Sequence, residues 1–404
     1  MRKKKRKWIK FRHKVIRNFA YMILYPYVKL KYNIKIHKFT AQQKRPYLIL
    51  LNHQTPFDQF FVGMSFKGPI YYLATEDIFS QGFLSSVIRY AVAPIPIKKQ
   101  TTDASAVMNC IRITREGGTI AIAPEGNRTY SGKTEYMNPA IAGLAKKLGL
   151  PILLYRIEGG YGAEPRWTDK VRKGKMEAFV SEVINPEEYK ELTNEQLMKR
   201  IKNGLYVNEA KKDVLFKSKK RAEYLERAIY VCPFCKLSTF HSNKNEITCQ
   251  RCNKTVIYGE DKALYGKGFD FPFTFVNDWY EYQKDFINSL DLTAYFDTPL
   301  YEDTAELRQV IVYKKKLLLR KKSVINLFGN KITIDQKSEN ELVLPFEEIS
   351  AVSVLGKNKL NVYINDKIYQ IKGSKRFNAL KYVNIYFRWK NISRGDKNGE
   401  FLGL

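Results

Sequence analysis

Histidine is scarce in this chain, at four among 404 residues, so one placed near a carboxylate carries information. Long apolar runs are missing from its first segment. The longest nearly uncharged stretch there, Asn18 to Val28, is 11 residues and contains Pro26. That is too short to span a bilayer, and no small-residue signal-peptidase site accompanies it. Acidic residues are also few: 40 Asp and Glu stand against 70 Lys and Arg, a net charge of +30. Such an imbalance points to a polyanionic partner, with nucleic acid, an anionic membrane surface and a phosphorylated substrate all open. Apolar residues are not lacking. At 44% hydrophobic content over this length, the chain is not disordered, and it predicts two or three domains with large cores.

The segment 1–40 opens with ten Lys or Arg in seventeen residues and no acid, interspersed with Trp8, Ile9, Phe11, Val15, Ile16 and Phe19. A basic segment of this kind suits a helix lying in the interface of an anionic leaflet. A nucleic-acid arm and a solvated tail are the other readings.

Over residues 41–205, short apolar runs alternate with helix-length stretches: "YLILL" (47–51), "IYYLA" (70–74), "VAPIPI" (92–97), "TIAIA" (119–123) and "PILLYRI" (151–157). This predicts an α/β domain with a largely parallel, buried sheet, in which functional groups gather beyond the carboxyl ends of the strands. His53 stands at one such end, five positions before Asp58. Five residues along a helix turn a side chain through roughly 500°, so the two meet only outside a continuous helix. A strand over Tyr47–Leu51, a turn at Asn52-His53 and a helix with Pro56 at its first position would bring them together. Thr55 and Asp58 also read as a capping box, which explains Asp58 without His53. A second polar turn, Pro124 to Gly132, follows "TIAIA". There Gly126 permits a tight bend and Arg128 offers a planar fork for a phosphate, the plain alternative being a surface pair with Glu125.

Residues 206–230 are highly charged and predict a helical linker. Beyond it Cys232, Cys235, Cys249 and Cys252 form C-x2-C-x13-C-x2-C, within a ribbon expected over 231–258. Two close pairs supply four thiolates for a structural zinc, with iron or two disulfides as the alternatives. Cys110 reads as a buried core thiol. Reduced thiols and zinc fit the cytosol. A connector over 259–300 leads to alternating apolar and polar residues, then a segment with Phe377, Leu380, Val383 and Phe387 on one helical face. The pattern over 301–392 resembles a β-rich pleckstrin-homology-like domain, with plain solvated basic strands as the alternative and 393–404 as a tail.

Four blocks between about residues 45 and 160 resemble the glycerolipid acyltransferases, and lysophosphatidate acyltransferases in particular. "NHQTPFD" matches Asn-His-x-Ser-x-x-Asp with Thr55 for serine, and "APEGNRT" matches Phe-Pro-Glu-Gly-Thr-Arg-Ser. "APIPIKK" resembles Gly-x-Ile-Pro-Ile-x-Arg, and "LPILLY" the Val-Pro-Ile-x-Pro-Val block. The resemblance implies His53 as general base and Asp58 as its orienting carboxylate. It also implies acceptor binding by Glu125, Gly126, Arg128, Thr129 and Lys99. The implied co-substrates are acyl-CoA or acyl-ACP and a lysophospholipid, handled at the cytoplasmic membrane face by a peripheral or monotopic protein. Ala93, Lys99 and Leu154 depart from the family's glycine, arginine and proline, and a lysine lacks the bidentate fork. The rival reading is a noncatalytic lipid- or nucleic-acid-binding protein with a zinc ribbon, which leaves the two polar blocks unexplained; nucleic acid is the less expected partner.

Overall fold

A computed structural model describes residues 7–40, 45–75, 78–97, 104–209, 213–311, 314–396, 399 and 401. Lys99 lies outside the described residues. The first half is built on strands β1 (Ile34–Ile36), β2 (Leu48–Leu51), β3 (Ile70–Thr75), β4 (Ile95–Ile97), β5 (Thr119–Ile122), β6 (Ile152–Glu158) and β7 (Met176–Ile184). They form one sheet in the order β1-β7-β6-β2-β5-β3-β4. Every neighbour pair is parallel except β6 and β7. The helices are α1 (Phe11–Tyr32), α2 (Asp58–Ser65), α3 (Phe83–Val92), α4 (Ala104–Arg115), α5 (Ala140–Leu148), α6 (Gly160–Ala163), α7 (Pro186–Tyr189) and α8 (Asn194–Leu205).

Alternation along the strands divides the core into two layers. Leu48, Leu50, Ile120 and Ile122 pack with residues of α4, α5 and α8, whereas Ile49, Leu51, Ala121 and Leu153 pack with residues of α1 and α2. Burial on both faces is why these strands read as continuous apolar runs. One run is shorter than expected. Val92 closes α3 and Ala93 caps it in a left-handed conformation (φ 44°), so only Ile95–Ile97 of "VAPIPI" is strand.

The expected helix over 206–230 does not form. Among the described residues, its one helical piece is a 3-10 turn at Leu225–Arg227. The other described residues of this segment run as a strap: Asn208 bridges to Lys133, Lys217 to Lys173, and the Phe216 amide donates to the Glu260 carbonyl (2.8 Å). Val207 and Phe216 are buried, and Glu209 Oε2 accepts from the Gly159 amide (2.7 Å). These tertiary anchors outweigh the helical propensity of a charge-rich segment.

The strap leads to a hairpin of β8 (Val231–Cys232) and β9 (Lys236–Leu237), then a four-stranded antiparallel sheet of β10 (Phe240–Asn243), β11 (Glu246–Cys249), β12 (Thr255–Tyr258) and β13 (Leu264–Gly266). This cysteine-bearing sheet therefore continues past residue 258. Helix α9 (Val276–Ser289) follows, so 259–300 is a packed part of the fold as well as a connector.

The C-terminal region is one antiparallel sheet in the order β17-β16-β15-β14-β20-β19-β18. Its strands are β14 (Tyr301–Gln309), β15 (Leu317–Leu327), β16 (Lys331–Ile334), β17 (Leu342–Pro345), β18 (Ile349–Leu355), β19 (Lys359–Ile364) and β20 (Lys367–Gly373). Helix α10 (Leu380–Ser393) packs on β18 and α9. A continuous core joins α10, both later sheets and α9 to Tyr130 and Trp167 of the first half.

Candidate active site

Strand β2 ends in Asn52, whose amide side chain donates to the Ile157 carbonyl (2.8 Å) and accepts from the Ile157 amide (2.7 Å). This pair of bonds ties the end of β2 to β6 and fixes where the chain turns. At the next residue, His53 Nδ1 lies 2.7 Å from Asp58 Oδ2. The carboxylate is only 1% exposed and also accepts from the amides of Gln54 (2.7 Å) and Thr55 (2.9 Å) and from Thr55 Oγ1 (2.8 Å). It accepts from Nδ1–H of His53, which leaves the Nε2 lone pair as the ring's basic position.

The expected meeting of His53 and Asp58 is therefore observed, by a slightly different route. The helix begins at Asp58, not at Pro56, because Thr55 to Phe57 form a turn around the Asp58 carboxylate. Thr55 Oγ1 also accepts from the Phe57 amide (3.0 Å). The expected capping box does not form, since the helix is capped at Phe57 with no side-chain bond, and the Asp58 carboxylate instead takes the Thr55 amide and hydroxyl together with His53.

The loop after β5 meets the same point. The His53 amide donates to Glu125 Oε1 (3.0 Å), and Gly126 takes φ 71°, which a side chain rarely adopts. Burial pushes the Glu125 carboxyl up to about 8; the His53 amide opposes the rise, and Glu135 and Asp58 add to it. Thr129 does not present its hydroxyl as an open ligand group. Its Oγ1 accepts from the amides of Ser131 (3.1 Å) and Gly132 (3.0 Å), so it shapes the loop.

Arg128 faces a cluster that spacing alone does not reveal. Its Nη1 donates to the Glu164 carbonyl (3.4 Å), and its own carbonyl accepts from Arg166 Nη1 (2.9 Å). Burial lowers the Arg128 pKa, Arg166 lowers it further, and Glu164 and Asp58 oppose the shift. The Glu164 carboxylate accepts from Tyr32 and lies 3.8 Å from Lys357 Nζ, on the turn between β18 and β19. Lys357 also pairs with Asp169 (3.3 Å), which pairs with Arg227 (2.8 Å). Arg166 Nη2 donates to the Val354 carbonyl (3.2 Å). The C-terminal sheet thus abuts the loop that supports Arg128. The adjacent Gly159 and Gly160 are a signal that could have pointed to this loop: a Cβ on Gly160 would sit 2.5 Å from Cβ of Gln54.

Far from these residues in sequence, the Sγ atoms of Cys232, Cys235, Cys249 and Cys252 lie within 4.8 Å of one another. Cys235 and Cys249 are 3.5 Å apart, and Cys232 and Cys252 are 3.7 Å apart. Four thiolates about 2.3 Å from a tetrahedral ion sit about 3.8 Å from each other, so the cluster fits such a metal. These separations are well beyond an S–S bond of about 2.05 Å.

The site thus places a strand-end histidine held by a carboxylate, which can act as a general base, beside a glycine turn and the half-buried Arg128. Residues 33–157, which hold every one of these groups except the Glu164 cluster, match the Acyltransferase family model. Among solved structures, the chain is similar to the 1-acyl-sn-glycerophosphate (LPA) acyltransferase PlsC from Thermotoga maritima. Identity is 21% over 48% of this chain and 76% of that one, with a TM-score of 0.40. It is also similar to the N-terminal PH domain of human ARAP2, at 17% identity over 23% of this chain and 81% of that one, with a TM-score of 0.18. No curated protein matches the chain.

Proposed function

We propose that the protein transfers an acyl group from an acyl thioester, acyl-CoA or acyl-ACP, to the free hydroxyl of 1-acylglycerol 3-phosphate, giving phosphatidate. The observation that carries this reading is the His53–Asp58 pair at 2.7 Å, with Asp58 already held by three further donors beside the Arg128 loop. His53 Nε2 takes the hydroxyl proton as the oxygen attacks the thioester carbonyl, and Asp58 steadies the imidazolium. The tetrahedral intermediate then expels the thiolate, which recovers the proton from His53. No covalent acyl-enzyme is needed. Arg128 holds the acceptor phosphate and so places its hydroxyl beside His53, with Lys99 assisting. Glu125 and Gly126 shape that loop.

In this reading the four cysteines bind a structural zinc, since all four ligand positions are filled by protein. The β-rich region over 301–392 acts as a pleckstrin-homology-like accessory domain. The basic N-terminal segment holds the active site at the cytoplasmic membrane face, where both the lysolipid and its diacyl product partition. No helix among the described residues is long and apolar enough to cross a membrane, and the proposed attachment is peripheral or monotopic.

The test is a screen of radiolabelled acyl thioesters against glycerol 3-phosphate, 1-acylglycerol 3-phosphate and unphosphorylated lysolipids, with purified protein on anionic vesicles. Labelled phosphatidate is the expected product. Salt-sensitive binding to nucleic acid without any acyl transfer would replace this reading with the noncatalytic one.

A further inference from the structure

The N-terminal helix is not alone in presenting apolar side chains to solvent. Along α1, Phe11 (80% exposed), Phe19 and Leu30 (86%) are uncovered, and α1 packs on α3, where Arg12 lies 4.0 Å over the Tyr90 ring. Helix α3 exposes Phe83 (86%) and Tyr90. Its start is set by Gly82, whose φ of 63° turns the chain outward just before Phe83. Gln81, next in line, makes an antiparallel bridge with Lys315 of the C-terminal region. Two residues past Lys315, β15 opens with Leu317, Leu318 and Leu319, all exposed.

Consecutive residues of a strand point to opposite faces, so three exposed leucines in a row mean that neither face of β15 is covered there. The later part of the same strand behaves differently: Ile325 and Leu327 are fully buried in the sheet core. The exposed leucines are bracketed by Lys314, Lys315 and Lys316 on one side and Arg320, Lys321 and Lys322 on the other. An apolar patch of this extent marks a contact surface, and its cationic rim identifies an anionic one. A nucleic-acid backbone would engage the cations and leave the leucines in water. A bilayer with anionic headgroups satisfies both.

We infer that α3 and the start of β15 form, with α1, one continuous footprint on an anionic lipid bilayer, so that the C-terminal region helps seat the acyltransferase domain on its membrane. The leucines and Phe83 enter the interface, and Lys314, Lys315, Lys321 and Lys322 meet the headgroups, whereas Arg320 is paired with Asp335. This extends the membrane siting of the proposed function from the N-terminal segment to a second, distant part of the chain. Its readout is binding and needs no acyl transfer, so the two ideas fail separately.

The test uses the full-length chain and vesicles of equal parts phosphatidylcholine and phosphatidylglycerol, in co-sedimentation at low and high salt. The variants are Leu317→Ser with Leu318→Ser and Leu319→Ser, and separately Phe83→Ser. All four side chains are exposed, so an unchanged melting temperature is expected and checks the fold. Each variant is expected to bind more weakly, the triple by about tenfold or more, with the loss persisting at high salt where cation attraction is screened. Wild-type binding by both folded variants at every salt concentration would overturn the inference. So would unchanged vesicle binding together with a shift from dimer to monomer, which would assign the face to a second copy of the chain.

Discussion

The two large sheets of this protein use their polar residues in opposite ways. In the parallel sheet, polar groups gather at strand ends: Asn52 locks β2 to β6, and the next residues place His53 against Asp58 and Glu125. In the antiparallel C-terminal sheet, buried polar groups serve the packing itself. Gln370 donates to Asn361 within the sheet (2.8 Å), and Tyr382 on α10 donates to Asp303 (2.7 Å). A parallel strand must leave its sheet through a long crossover, so its end is free to carry a loop shaped for chemistry. Strands joined by tight hairpins have no such freedom, and this sheet meets the site at the end of β18, through the Val354 carbonyl, and at Lys357 on the turn that follows.

The largest expected effect probes the cysteine-bearing sheet that lies between these two in the chain. Wild-type protein should contain about one zinc per chain, and Cys232→Ser should lose it and melt substantially lower, because four-thiolate sites contribute folding energy outright. Careful metal analysis finding neither zinc nor iron in the wild type would remove the metal from the account.

That site was legible because its ligand spacing is local, and so was the His53–Asp58 pair, five residues apart at a strand end. Even the helix start was missed by only two positions. The network of Arg128, Glu164, Arg166 and Lys357 was not legible. Arg166 and Val354 lie 188 positions apart, and no periodicity or spacing connects them. The 206–230 strap was misread for the same reason: its charge pattern reports helical propensity, whereas Glu209 and Phe216 are placed by distant partners.

Next in size is the acceptor phosphate. Arg128→Ala should raise KM for 1-acylglycerol 3-phosphate by about tenfold or more while changing KM for the acyl thioester little. Equal losses toward phosphorylated and unphosphorylated acceptors would detach Arg128 from the phosphate.

Glu125 offers a test by pH. Its folded pKa of about 8 lies above its ordinary 4.5, so the folded state binds the proton more tightly. The stability this contributes is full below about 4.5, falls as pH rises, and is gone above about 8. Glu125→Gln keeps an acceptor for the His53 amide and cannot titrate. Its melting temperature should therefore depend less on pH across this window than that of the wild type; parallel curves would contradict the buried, protonated carboxyl.

The smallest effect concerns Ala93, left-handed at the cap of α3 where the resembling family has glycine. Ala93→Gly should raise stability by up to about 1 kcal/mol in denaturant titration, since the strain of an alanine at positive φ exceeds the entropy glycine adds to the unfolded chain. A loss of stability would show that the Ala93 methyl packs well enough to outweigh the strain.

The chemistry of the parallel sheet is tested most directly by the turnover of His53→Ala on 1-acylglycerol 3-phosphate and an acyl thioester, using folded protein on anionic vesicles. The account predicts a fall in kcat of roughly 10²–10⁴-fold with an unchanged melting temperature. Near-wild-type turnover by the folded variant would contradict it.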